Sequence, residues 1–360
     1  MLRRGSVRHL HWGAVTVACV VAYGLCVAAA ADRGLDVPTA IWSLADVPDV
    51  LVEFGALAPA YVWIDDEWFR VLTAGVLHGS LLHLVVNLWS LWSIAPFLDR
   101  AVGRLWSFAI FVAGIVAGSL ASMAFGRAGV VVGASAGIVA QAGALWIVRR
   151  FGPPDVQRAV IMVSARALAV SLVILVAVGW VVPVIAQAGH LGGLAEGCLV
   201  ALAYVRARPR RRGRAAAAVA SVVLVALAGF AYAPVWSVGY HEATGIRALE
   251  RGEIDRARAA FDRALRLAPD DPRLANAVAY ALALEGVELA RAEELVRGAL
   301  EREPNNADYW DTLGWVLCRA GRAEEGIEAL ERARRLADPV FEELLDHLRT
   351  CEDVAVSSPP

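Results

Sequence analysis

Lysine is missing from this 360-residue chain, so all 34 of its fixed cations are arginines. We read that bias as the mark of a GC-rich bacterial genome and not of a function. Charge as a whole is scarce: Asp, Glu, Lys and Arg make up 19% of residues, and the formal net charge is −2. A near-neutral balance gives nucleic-acid binding no electrostatic footing. The five cysteines, Cys19, Cys26, Cys198, Cys318 and Cys351, are scattered, so neither a metal site nor a disulfide framework is expected. No His-Glu-x-x-His occurs, which removes the common zinc-protease signature. Neither metal nor cofactor is expected.

What the chain has in abundance is long apolar runs, with 58% of residues hydrophobic. A membrane span needs about 20 apolar residues, and about 17 suffice. Candidates lie near 12–31, 76–96, 105–125, 133–148, 167–185, 188–205 and 215–232. After Tyr232 the sequence turns charged and helical in pattern. The run after Arg3, Arg4 and Arg8 has some features of a signal peptide but is long for one, and the topology expects it to be retained. Cytoplasmic loops carry excess arginine. Arg3, Arg4 and Arg8 therefore put the N-terminus inside. The even-numbered spans end at Arg100 and Arg104, at Arg149, Arg150, Arg158 and Arg166, and at the cluster Arg206–Arg214, a consistent cytoplasmic side. Arg127 is the mismatch. That cluster resembles a nucleic-acid patch in composition, but its place between two spans makes it a cytoplasmic anchor. A spanning segment over 215–232 would carry the remaining chain outside; if it does not span, the rest is cytoplasmic.

Polar side chains inside such runs are costly and mark function. His83 and Asn87 lie in the second span, four apart and hence on one helix face. Ser135 opens the fourth run and His190 the sixth. The second, fourth and sixth spans run in the same direction, so the topology puts all four groups at similar depth in the outer half. Gly189, Gly193 and Gly197, with Gly133-Ala134-Ser135-Ala136-Gly137, allow close helix approach. The chemistry expected is Ser135 as nucleophile and His190 as general base. The Ser135 N–H with the His83 and Asn87 side chains would face a developing oxyanion. No carboxylate is placed to orient His190, so a dyad is expected. His78 is expected to tie the outer loop to the mouth of the second span.

At these residues the sequence resembles the rhomboid intramembrane serine proteases. The resemblance covers roughly 60–205 and includes Glu67-Trp68-Phe69-Arg70, His78-x4-His83-x3-Asn87, Gly133-Ala134-Ser135-Ala136 and Gly189-His190 with Gly193 and Gly197. It implies a Ser135/His190 dyad, an oxyanion site at His83 and Asn87, and an outer loop braced by Glu67 and Arg70. It also implies membrane-anchored protein substrates that enter laterally from the lipid bilayer. Two positions depart from the family pattern. Val139 replaces a frequent aromatic that packs on the histidine, and Glu196 replaces a small residue, either protonated or paired with a neighbour such as Gln141. Trp180 is a weak candidate for a lateral gate.

From about Val238 to Leu348 a period appears: Pro269, Pro304 and Pro339 are 35 apart, with Gly252 and Gly321 at helix–helix turns. Ala257-x3-Phe261 and Trp310-x2-Leu313-Gly314 make this resemble tetratricopeptide repeats of about 34 residues. The middle unit reads as degenerate over Glu285–Leu289. The fold expected is all-α: a polytopic membrane helix bundle with a six-helix core plus a seventh span, then an α-solenoid of repeats. Its parts are a cytoplasmic N-terminus (1–10), a membrane domain (11–205), an Arg-rich loop (206–214), the seventh span (215–232), repeats (237–350) and a disordered tail (351–360). The function expected is an intramembrane serine endopeptidase of a bacterial plasma membrane, with repeats outside that bind a peptide or protein partner. The alternative is a non-catalytic membrane scaffold or chaperone that binds transmembrane helices.

Overall fold

The computed structural model describes residues 10–126, 129–181, 187–337 and 342–357, with backbone alone for 176, 178–181, 356 and 357. Arg3, Arg4, Arg8, Arg127, the outer exit over 183–186, Pro339 and the side chain of Trp180 lie outside what is described. Every named element is helical, and the chain divides into two compact units, Met1–Pro234 and Val235–Pro360.

The first unit opens with α1 (Leu10–Asp32). A segment outside the long helices, termed the outer segment for its expected side, follows with four short helices, α2 (Val37–Trp42), α3 (Pro48–Glu53), α4 (Pro59–Asp65) and α5 (Arg70–Thr73). Then come α6 (Leu81–Val102), α7 (Arg104–Phe125), α8 (Ser135–Phe151), α9 (Pro154–Ala159), α10 (Ala165–Val181), α11 (Gln187–Arg206) and α12 (Arg212–Tyr232). Among the described residues, five helices are long and apolar enough to cross a membrane: α1, α6, α7, α11 and α12. The other two expected spans, α8 and α10, are 17 residues each, at the short end of spanning length. Several such helices in one unit make this a multi-pass membrane protein.

The second span was expected from residue 76, but α6 starts at Leu81. The reason is local. Gly79-Ser80 interrupts the apolar run, and the Ser80 hydroxyl accepts the His83 N–H at 3.2 Å, an N-cap that fixes the helix start. Burial ranks the helices: two thirds of the α7 window is inside the protein, against 11% for α12. α7, α8 and α11 therefore form the centre. Helix α1 joins it through Trp12, fully buried, whose indole N–H donates to Asp99 Oδ2 at 3.1 Å.

The outer segment is held by polar groups. Arg70 is 5% exposed; it pairs with Glu67 at 2.5 Å and donates to the carbonyls of Val52 and Ala56. Thr73 Oγ donates to the Gly55 carbonyl at 2.6 Å. Leu57 and Val131 exchange both backbone hydrogen bonds, at 3.0 and 2.8 Å, as an isolated antiparallel bridge.

The second unit contains α13 (Val238–Glu250), α14 (Ile254–Leu267), α15 (Pro272–Glu285), α16 (Leu289–Arg302), α17 (Ala307–Arg319), α18 (Ala323–Leu336) and α19 (Glu342–Ser357). Helices α14, α16 and α18 each bury one stripe, for example Ala257, Ala260, Phe261 and Ala264. That spacing is one face of a helix. The middle pair departs from the others at its turn: Gly252 (φ +73°) and Gly321 (+80°) are second of three turn residues, whereas Gly286 (+68°) is first of three and Glu288 takes φ +49°, uncommon for a non-glycine residue.

Two expectations at the C-terminal end are corrected. Residues 351–357 of the expected disordered tail are helical, because α19 continues to Ser357, and Cys351 is fully buried; the remaining tail residues lie outside what is described. Cys318 and Cys351 form a disulfide, with Cα atoms 5.6 Å apart, where no pairing was expected. Beside it, His347 on α19 and Asp311 on α17 meet at 3.0 Å, both buried, with the Trp315 ring stacked on His347. Burial pushes the Asp311 carboxyl up from its usual range, while the His347 contact acts the other way.

Candidate active site

The site is built at the N-terminus of α8. Ala134 caps that helix without a side-chain hydrogen bond, and Ser135 is its first residue. The first N–H groups of a helix have no partner inside it, so the Ser135 N–H is free of the helix ladder. Helix α11 brings His190 against it. The Ser135 hydroxyl lies 2.8 Å from His190 Nε2, so it can donate to that ring nitrogen. Both residues are half-buried.

Glycines make that approach possible. A Cβ on Gly193 would lie 2.3 Å from the Ala136 carbonyl oxygen, and one on Gly197 2.0 Å from that of Ala140. A Cβ on Gly118 of α7 would lie 2.8 Å from the Gly189 carbonyl oxygen. The backbones of α11 and α8 are therefore in contact along two turns, with no room for a side chain.

His83 and Asn87 face the segment that feeds α8. A Cβ on Gly133 would fall 2.8 Å from His83 Nε2 and 3.4 Å from Asn87 Nδ2. Gly133 itself has φ +124°, and its N–H donates to the Ala74 carbonyl at 2.9 Å. His78 was expected as a tie between loop and helix mouth. It precedes the helix, is fully buried, and its Nε2 accepts the Asn87 amide N–H at 3.0 Å. Its Nδ1–H donates to the Val76 carbonyl at 3.3 Å, which fixes the tautomer. The His78 and His83 rings pack edge to face, with centroids 5.0 Å apart. Glu67 and Arg70 lie on the outer segment and hold it by the bonds described above.

Sequence reading did not find the Ala74 carbonyl, the Leu57–Val131 bridge or the His78–Asn87 bond. None has a signature in residue type, because two are backbone contacts and the third depends on where α6 starts. His190 Nδ1 has no hydrogen-bond partner among the described residues. Glu196 is fully buried, neither carboxylate oxygen is hydrogen-bonded among the described residues, and Gln141 donates to the Ser107 carbonyl at 3.2 Å. Of the two alternatives for Glu196, the pair with Gln141 is not formed among the described residues.

Residues 65–207 match the protein-family model described as the Rhomboid domain. A segment of 200 residues, 55% of this chain, is 31% identical to a protein of Bacillus subtilis (strain 168) named Rhomboid protease GluP. That alignment spans 38% of the relative's length. The residues that match the Rhomboid domain model enclose Ser135, His190, His83, Asn87 and the Glu67–Arg70 brace, so the likeness covers the site described above.

Proposed function

We propose that this protein is an intramembrane serine endopeptidase that cuts membrane-anchored proteins within or near a transmembrane segment. The observation that carries the reading is the 2.8 Å contact between Ser135 Oγ and His190 Nε2, with Ser135 two residues along the chain from Gly133, which His83 and Asn87 face. His190 Nε2 takes the hydroxyl proton as Ser135 Oγ bonds to the scissile carbonyl carbon. The resulting oxyanion is met by the Ser135 N–H and the side chains of His83 and Asn87. His190 returns its proton to the leaving amine as the C–N bond breaks. Water, deprotonated by the same ring, then releases the acyl group and restores Ser135. His78 holds the Asn87 amide, so it orients a donor and does not meet substrate. Glu67, Arg70, Gly189, Gly193 and Gly197 support the site.

The second unit is read as a tetratricopeptide-like array that recruits a peptide or protein partner. Support comes from its helical pairs, which repeat with starts at Val238, Pro272 and Ala307 and a turn glycine in each pair. The arginines at the ends of α6, α8 and α11 favour a cytoplasmic location for that side of the bundle, and hence a cytoplasmic N-terminus. An odd seventh crossing by α12 then puts the repeats outside. The Cys318–Cys351 disulfide favours the same side, because disulfides persist in oxidising compartments.

The test is cleavage of a single-span reporter in liposomes by the wild type, Ser135→Ala and His190→Ala. Cutting by the wild type and loss of about 10³-fold or more in each variant is the expected result. Equal cutting by Ser135→Ala would remove the serine mechanism.

A further inference from the structure

Helix α12 packs one face on the bundle, through Ala216, Val219, Ala220, Leu227 and Ala228, and leaves the opposite face open, with Val222 68% and Val225 72% exposed. Its C-terminal end is held by a further set of contacts. Ala231 is fully buried, in one cluster with Leu57, Val62, Val71, Ala74 and Leu120. The Ala231 carbonyl accepts the indole N–H of Trp63 on α4 at 2.8 Å. One residue on, the Tyr232 ring lies parallel to that of Trp68, with centroids 6.4 Å apart. That end of the helix is thus pinned to the outer segment.

That segment has a second attachment, to the site itself. Leu57, two residues before α4, pairs in both directions with Val131, and Ala74 accepts the Gly133 N–H. The stretch 131–133 leads directly into Ser135 and carries the glycine that faces His83 and Asn87. The segment from Leu57 to Ala74 therefore holds the seventh helix on one side and the approach to the nucleophile on the other.

We propose that Trp63 is a positioning residue and that α12 is a strut of the active site, not only a tether for the second unit. The Trp63–Ala231 bond fixes α4, α4 fixes Leu57, and Leu57 with Ala74 sets the backbone at Val131 and Gly133. The inference rests on the reading of Ser135 as nucleophile, and the readouts are chosen to separate the two.

The experiment uses the full chain, comparing the wild type with Trp63→Phe, Trp63→Ala and the lipid-exposed control Val225→Ala. Trp63→Phe keeps a ring in the apolar cluster and lacks the N–H. The expected result is a kcat about tenfold lower for Trp63→Ala, since small misplacements near the reacting atoms are costly in rate. KM should stay within about twofold, as expected when binding is unchanged. Trp63→Phe should fall between the two, and Val225→Ala should match the wild type. Hydrogen–deuterium exchange should quicken in both Trp63 variants at Leu57, Val131 and Gly133 while α7 keeps its wild-type protection. A generally loosened fold would quicken both. Wild-type kcat together with wild-type exchange at 131–133 in both variants would overturn the strut. A wild type that cuts nothing would overturn the protease reading, and exchange at 131–133 would still decide for or against the strut. If Trp63→Ala fails to fold, Trp63→Phe carries the comparison.

Discussion

A methyl group on Gly133 would lie 2.8 Å from His83 Nε2, on a residue whose φ of +124° most side chains avoid. Space and backbone conformation thus disfavour any side chain here, for separate reasons. Gly133→Ala is expected to leave a folded protein whose kcat on the reporter falls by about 10²-fold, the scale of losing one oxyanion donor. Cleavage within about twofold of the wild type would show that Gly133 is not part of a transition-state cradle. The shared face of His83 and Asn87 was legible, since a four-residue spacing dictates it. For His78 the sequence suggested a tie between loop and helix mouth but not its partner; the Ser80 cap leaves it in loop backbone, where it reaches Asn87.

Along α11, the small residues that the sequence spaces by four become contacts of backbone on backbone. The Ala140 carbonyl oxygen is 2.0 Å from where a Gly197 Cβ would sit, and backbone cannot step aside as a flexible side chain can. Gly197→Val is expected to cost about 1–3 kcal/mol or more by overpacking. It should also part His190 from Ser135, so thermal stability in detergent and reporter cleavage should fall together. Leu199→Ala, on a side chain 45% exposed, should change neither. Stability lost with cleavage intact would mean that the α8–α11 contact does not set the distance between the two residues. The pattern of small residues announced close packing, but not its partner. Gly193 and Gly197 meet α8, whereas Gly192 meets Ala117 of α7, and only the assembled bundle assigns them.

At the scale of the whole molecule, the membrane unit ends at Pro234 and the second unit closes on itself through Cys318 and Cys351. The disulfide ties α17 to α19, next to the buried Asp311–His347 pair. In protein extracted from intact cells, both thiols are expected to resist alkylation until a reductant is added. Reduction, or Cys351→Ser, should lower the stability of the second unit by about 2–4 kcal/mol. Both cysteines reacting without reductant would place the unit in a reducing compartment and remove one support for outward-facing repeats.

The sequence by itself determined the apolar runs, the side on which the arginines gather, and the order of Glu67, Arg70, His83, Asn87, Ser135 and His190 along the chain. These are legible because hydropathy, charge and helix period act over a few residues at a time. The tertiary structure alone decided which carbonyl holds Gly133, which cysteines pair, and that Trp63 reaches Ala231 across 168 positions of sequence. Such contacts join groups that any backbone or any indole could offer. They exist only once distant segments are packed, and no local pattern records them.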